Sequence, residues 1–154
     1  MTHIYTEDQL RRAPALSILQ PWAWCIIRPD LLTAEDRESA RVLEYIKDIE
    51  NRTWRSSITG PVLIHTGRGF DDRGYEWLLD LTISVPVALQ IPAKDEFQRG
   101  GIIGYATISP SVKRSDSPWF TGPFGFPLSN QTPIPFIPCP GQLGFFKHGQ
   151  EIKL

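Results

Sequence analysis

Apolar positions come in short runs along this chain, and the runs predict a sheet interrupted by brief helices. Residues 1–13 mix polar and charged side chains without a periodic apolar face, which predicts a frayed leader over residues 1–14. Ala15-Leu-Ser-Ile-Leu19 reads as a strand that stops at Gln20-Pro21. Pro21 suits the first position of a helix, where its missing N–H costs nothing. The helix from Trp22 to Ile27 then ends before Pro29. Thr33-Ala-Glu-Asp36 approximates a capping box, and the run to Ile46 carries Val42, Leu43, Ile46 and little else apolar. That predicts an exposed helix inserted on the rim over about residues 28–45.

Val62-Leu-Ile64, inside Gly60 to His65, suits a strand buried on both faces. Asp71-Asp72 cap a helix whose Tyr75, Leu78, Leu79 and Thr82 recur at i, i+3, i+4, i+7. After a loop with Pro86 and Pro92, Gly100 to Ile108 reads as a long strand whose glycines allow bulging. Eight of the fourteen prolines fall between Pro110 and Pro140, a density expected at edges and in loops but not in the middle of a sheet. Phe124–Leu128 and Leu143–Lys147 are the remaining strands. Five or six strands with two or three flanking helices and no regular βαβ alternation predict an α+β fold around a small curled sheet or β-barrel. Residues 15–148 make one domain, and 149–154 a C-terminal tail.

Composition narrows the class. The 154 residues carry sixteen Lys and Arg against seventeen Asp and Glu, for a formal charge of −1, so no global positive field exists to gather a long polyanion. Cys25 and Cys139 form neither a disulfide framework nor a CxxC pair, which favours a reduced, cytoplasmic chain. No apolar signal region and no run of about 18 apolar residues is present, so a membrane role is not expected. His3, His65 and His148 lack ligand spacing, and neither a metal nor another cofactor is expected.

The densest chemistry lies in Lys47-Asp-Ile-Glu-Asn-Arg-Thr-Trp-Arg55. Lys47 is a point charge for a phosphate or carbonyl, Arg52 and Arg55 offer planar forks, and Trp54 offers a stacking face. Together with Glu50 they describe a nucleotide-sized pocket, or else a solvated strand laced with ion pairs. In a regular strand Lys47 and Glu50 would point to opposite faces, so a shared pocket requires a turn or bulge between them. Gln20 and Trp22 stand where a strand gives way to a helix. Ser117 and Trp119 open an aromatic loop, Ser117-Pro-Trp-Phe-Thr-Gly-Pro-Phe-Gly-Phe126, that serves either as a pocket wall or as a core plug. His65 ends the buried strand, as a satisfied structural histidine or as a base. Ile64-His-Thr-Gly-Arg-Gly69 is not a phosphate loop, because it lacks both the third glycine and a Gly-Lys-Ser/Thr ending.

Taken in order, Leu16 to Ala23, Lys47 to Arg55, Gly60 to His65, Gly100 to Gly104, Ser117 to Phe126 and Leu143 to Phe146 resemble the ASCH domain family over nearly the whole chain. The resemblance implies a PUA-like fold, a small β-barrel with a cleft for RNA or a modified nucleobase. The family signature Gly-x-Lys-x-x-Glu-x-Arg falls on Lys47, Glu50 and Arg52, with Tyr45 in place of the glycine. Leu19 replaces the usual basic residue before Gln-Pro.

The function expected is therefore binding of RNA, a nucleotide or a modified nucleoside in a cationic, aromatic cleft. The alternative is a small hydrolase, an amidohydrolase on an acylated nucleoside or a ribonuclease, using Lys47 and Glu50. A third reading is a protein-interaction module that docks a partner on the proline-rich 110–140 face.

Overall fold

A computed structural model describes residues 2–84 and 90–154. Strands β1 (Ala15–Ser17), β2 (Ile49–Arg52), β3 (Gly60–Thr66), β4 (Gly101–Ile108), β5 (Phe124–Pro138) and β6 (Phe145–Phe146) form one sheet in the order β2-β5-β4-β3-β1-β6. It curls into a half-barrel. Among the described strands only β1 and β3 run parallel, with Leu16 opposite Ile64 and Ser17 opposite His65. Among the described residues four α-helices accompany the sheet: α1 (Glu7–Arg12), α2 (Trp22–Ile27), α3 (Ala34–Val42) and α4 (Asp72–Ser84). The α+β expectation holds, with one helix more than predicted.

Strand periodicity explains the core. Leu16, Val62, Ile64, Ile103 and Ala106 point to one face, where α2 adds Ala23, Ile26 and Ile27. Ala15, Leu63, Ile102 and Tyr105, their alternate neighbours, point to the other. The run around Val62 is thus buried on both faces, as its unbroken apolar sequence requires.

The second face needs a cover, and this corrects the expected leader. Residues 7–12 form a helix whose N-cap, Thr6, makes a full capping box with Gln9: the Gln9 N–H donates to Thr6 Oγ1 at 3.1 Å and the Thr6 N–H to Gln9 Oε1 at 2.8 Å. Leu10 is fully buried against Ala15, Leu63 and Tyr105. The tail joins the same cover, with Ile152 buried and His148 Nε2 donating to the Leu10 carbonyl at 3.1 Å. One apolar residue in a six-residue helix was enough, which is why no periodic face announced the element.

Proline density misleads as well. Strand β5 runs fifteen residues, through Pro127, Pro133 and Pro135 to Pro138, and sits between β2 and β4. Short β2 pairs only Phe124 to Pro127, so from Leu128 onward β4 is its one strand partner. A strand with one open side can turn each missing N–H outward and still accept through its carbonyls. The register shifts near Ile102 and Tyr105 absorb the mismatch.

The rim insertion forms α3, N-capped by Thr33, whose Oγ1 accepts from the Asp36 N–H at 3.1 Å. It ends at Val42, short of Ile46. One residue fastens it: Arg37, 8% exposed, donates to the carbonyls of Ile27, Arg28, Leu31 and Gln131 at 2.7–3.2 Å. Burial, and next the charge of Arg28, pull its pKa below the ordinary arginine value. In α4, Leu78 is buried while Leu79 is exposed, so its inward face is narrower than predicted. The side chain of Thr82, and Pro86 in the expected loop, lie outside what the structure describes. Among the described residues no helix is long and apolar enough to cross a membrane.

Candidate functional site

Where the half-barrel stays open, β2 approaches β1 and β6, and a cleft of about 970 Å³ lies between them. That is near the upper end of the roughly 300–1,000 Å³ typical of small-molecule sites. Two contacts pin the gap. Arg52 Nη2 donates to the Ser17 carbonyl at 2.9 Å, joining β2 to β1. Phe126 of β5 stacks on Phe145 of β6 at 6.0 Å, with Trp54 edge-on to both.

Lys47, Glu50 and Arg52 meet in this cleft. Lys47 precedes β2 rather than belonging to it, and its N–H donates to the Cys25 carbonyl at 2.8 Å, which holds it off the strand's alternation. Its Nζ donates to the Ile49 carbonyl and, at 3.2 Å, to Glu50 Oε1. Glu50 Oε2 accepts from Arg52 Nε at 3.2 Å and Nη2 at 3.0 Å. Lys47 is 2% and Glu50 8% exposed, so the pair sits at the cleft floor in a low-dielectric surrounding. Three of the roughly four acceptor positions of the carboxylate are spent on cations.

Tryptophans form the walls. Trp22 opens α2; its Nε1 donates to Asp71 Oδ2 at 2.7 Å, and Lys47 Nζ lies 5.8 Å from its ring centre. Gly74 of α4 abuts that ring, and a Cβ there would run into it. Trp77, one helical turn on, lies 6.2 Å from Trp22 and is half exposed. Trp119 closes the opposite side, anchored by Nε1 donating to the Glu44 carbonyl at 3.0 Å. Asn51 shapes its loop, accepting from the N–H groups of Thr121 and Gly122 and donating to the Trp119 carbonyl.

Of the residues singled out from sequence, Trp22, Lys47, Glu50, Arg52 and Trp119 line the cleft. The other five stand outside it. Gln20 is buried, its side chain bridging Gln98 and Trp24. Trp54 props the aromatic seam, and Arg55 lies over the Phe124 ring at 5.4 Å. Ser117 bonds Asp48. His65 is fully buried behind Ser17.

Arg73 and Trp77 escaped sequence reading, although both line the cleft. The available signal was a tryptophan on the polar face of α4 with an arginine four residues earlier, which puts both on one helical stripe. Arg73 is exposed and has no ion-pair or hydrogen-bond partner among the described residues, and the same holds for Arg52 Nη1. The lining carboxylates are both engaged, Glu50 by cations and Asp71 by Trp22 and the Gly74 N–H. What the cleft has left to offer is donors and flat aromatic faces.

Cys25, beside Lys47, is fully buried, and burial pushes its thiol up to about 12 against the opposing pull of Lys47 and Arg28. Among the described residues no group of His, Cys, Asp or Glu could hold a metal ion. No protein-family model and no curated protein matches the chain.

Proposed function

We propose that the cleft binds a nucleobase-bearing ligand, a nucleotide, a modified nucleoside or a short single-stranded RNA, in keeping with the resemblance to ASCH domains. The observation that carries this reading is the mismatch between spent acceptors and unspent donors. Arg52 Nη1 and Arg73 await a phosphate or carbonyl oxygen, while Trp22 and Trp77 present faces for a ring. A local pocket also suits a chain whose net charge is −1 better than a long nucleic-acid groove does.

The hydrolase built on Lys47 and Glu50 has weaker support. A general base needs a carboxylate oxygen within reach of the substrate proton, and both oxygens of Glu50 already accept from cations. The docking reading loses surface too, because Phe136 is the one exposed large hydrophobic residue described between 110 and 140.

The test is a thermal-shift screen of the full chain against nucleosides, methylated and acylated cytidines, nucleotides and short RNAs. A ligand at 100 times its Kd adds about 2.7 kcal/mol, several degrees in Tm. A shift that disappears in Trp77→Ala and Arg73→Ala supports the reading. No shift with any compound overturns it.

A further inference from the structure

Ser17 and His65 are direct partners on the parallel β1/β3 ladder, and their side chains join: Ser17 Oγ and His65 Nδ1 are 3.0 Å apart. The other ring nitrogen, Nε2, lies 2.7 Å from the Cys139 carbonyl oxygen. A carbonyl only accepts, so in the neutral ring Nε2 carries the hydrogen and Nδ1 is left to accept from the serine hydroxyl. The imidazole is fully buried, with Phe146 edge-on at 5.4 Å, and its tautomer and orientation are thereby set. Gly141 makes this seat possible, since a Cβ there would lie 2.5 Å from His65 Cε1. Ser17, by contrast, is only partly buried and lines the cleft. Arg52, whose Nη2 bonds the Ser17 carbonyl, brings a guanidinium with a free Nη1 to the same residue.

A hydroxyl, a base that accepts its proton and a fixed acceptor that orients the base are the three parts of an activated serine. We infer that Ser17 is a nucleophile, with His65 as its general base, and that the cleft hydrolyses an acyl ester or amide through an acyl-serine. In the first step Ser17 Oγ forms a bond to the acyl carbon while its proton passes to His65 Nδ1, and the Arg52 guanidinium holds the oxyanion. The bond to the leaving alcohol or amine then breaks, and that group takes the proton from His65. In the second step water, deprotonated by His65, adds to the acyl carbon. The carbon–Oγ bond breaks, Ser17 regains the proton, and the carboxylic acid leaves. This goes beyond the binding reading and shares with it the cleft and Arg52.

The test is covalent labelling of the folded full chain by an alkyl fluorophosphonate, which phosphonylates activated serines with loss of fluoride, followed by peptide mapping. The probe carries no base, so its result and that of the nucleotide screen stand apart. Labelling is expected at Ser17, absent in Ser17→Ala and in wild-type protein unfolded in urea, and slowed roughly a hundredfold or more in folded His65→Asn. If the buried asparagine prevents folding, the folded-against-unfolded comparison decides. An unlabelled Ser17 in the folded chain overturns the inference. So does labelling that persists at the same rate in urea or in folded His65→Asn, because the bond would then be only a cross-link between β1 and β3.

Discussion

Lys47 and Glu50 lie three residues apart and would face opposite sides of a regular strand, yet Lys47 Nζ is 3.2 Å from Glu50 Oε1. The contact exists because Lys47 is tied to the Cys25 carbonyl just before β2 begins and reaches past the Ile49 carbonyl. It couples α2 to β2 at the floor of the cleft.

Removing one partner of this buried pair is expected to be costly. Breaking such pairs costs about 3–5 kcal/mol, and the lower end applies because Arg52 still compensates Glu50. Lys47→Met should therefore lose about 3 kcal/mol in urea denaturation. Adding Glu50→Gln to that variant should restore part of the loss, since the uncompensated carboxylate is gone. Loss of ligand binding in a Lys47 variant is consequently a poor guide to the site unless stability is measured alongside it.

Trp77→Ala and Arg73→Ala separate binding from stability. Arg73 is exposed, so Arg73→Ala should leave stability within about 0.5 kcal/mol. Trp77 is half exposed beside Trp22, so Trp77→Ala should cost about 0.5–1.5 kcal/mol for the lost aromatic pair, and its binding loss is read against that. Loss of one stacking face should weaken a base-bearing ligand by about 1–3 kcal/mol in calorimetric titration. Arg73→Ala should weaken phosphorylated ligands more than nucleosides.

Cys25 makes stability fall in alkali. Its thiol is raised from 9.0 to about 12 by burial. Above the lower value an unfolded thiol loses its proton while the folded one keeps it, so the unfolded state binds fewer protons and gains. Stability declines as pH rises through that window, by up to about 1.4 kcal/mol per pH unit. Cys25→Ala removes this component; urea midpoints at about pH 8 and pH 10.5 should converge more in the variant than in the parent. Cys139, also raised by burial, contributes in the same direction and remains in both proteins.

Leu10→Ala should cost about 2–5 kcal/mol, the range for emptying a buried leucine site. A truly frayed segment would tolerate the change within about 0.5 kcal/mol. Chemical denaturation distinguishes the two.

Much of this architecture is local and can be read from neighbouring residues. Pro21 and Pro29 bracket α2, Thr33 begins α3, Asp71 caps α4, and the unbroken Val62-Leu-Ile64 run demands burial on both faces; all these features appear in the structure. Helix ends and strand faces follow from short-range sterics, hydrogen bonding and side-chain period, which a sequence displays directly. The proximity of Lys47, Glu50 and Arg52 in sequence likewise marked the cleft.

Only the tertiary structure decided the rest. Whether Lys47 faces Glu50 depended on a bond to Cys25, twenty-two positions earlier. Pro133, Pro135 and Pro138 of β5 were admissible because β2, whose pairing stops at Pro127, is too short to flank them. Arg73 and Trp77 joined the site because α4 packs Gly74 against Trp22. Ser17 found His65, forty-eight residues away, through the register of two parallel strands. Long-range pairing is set by which faces must be buried together, and that is a property of the assembled sheet rather than of any stretch of chain.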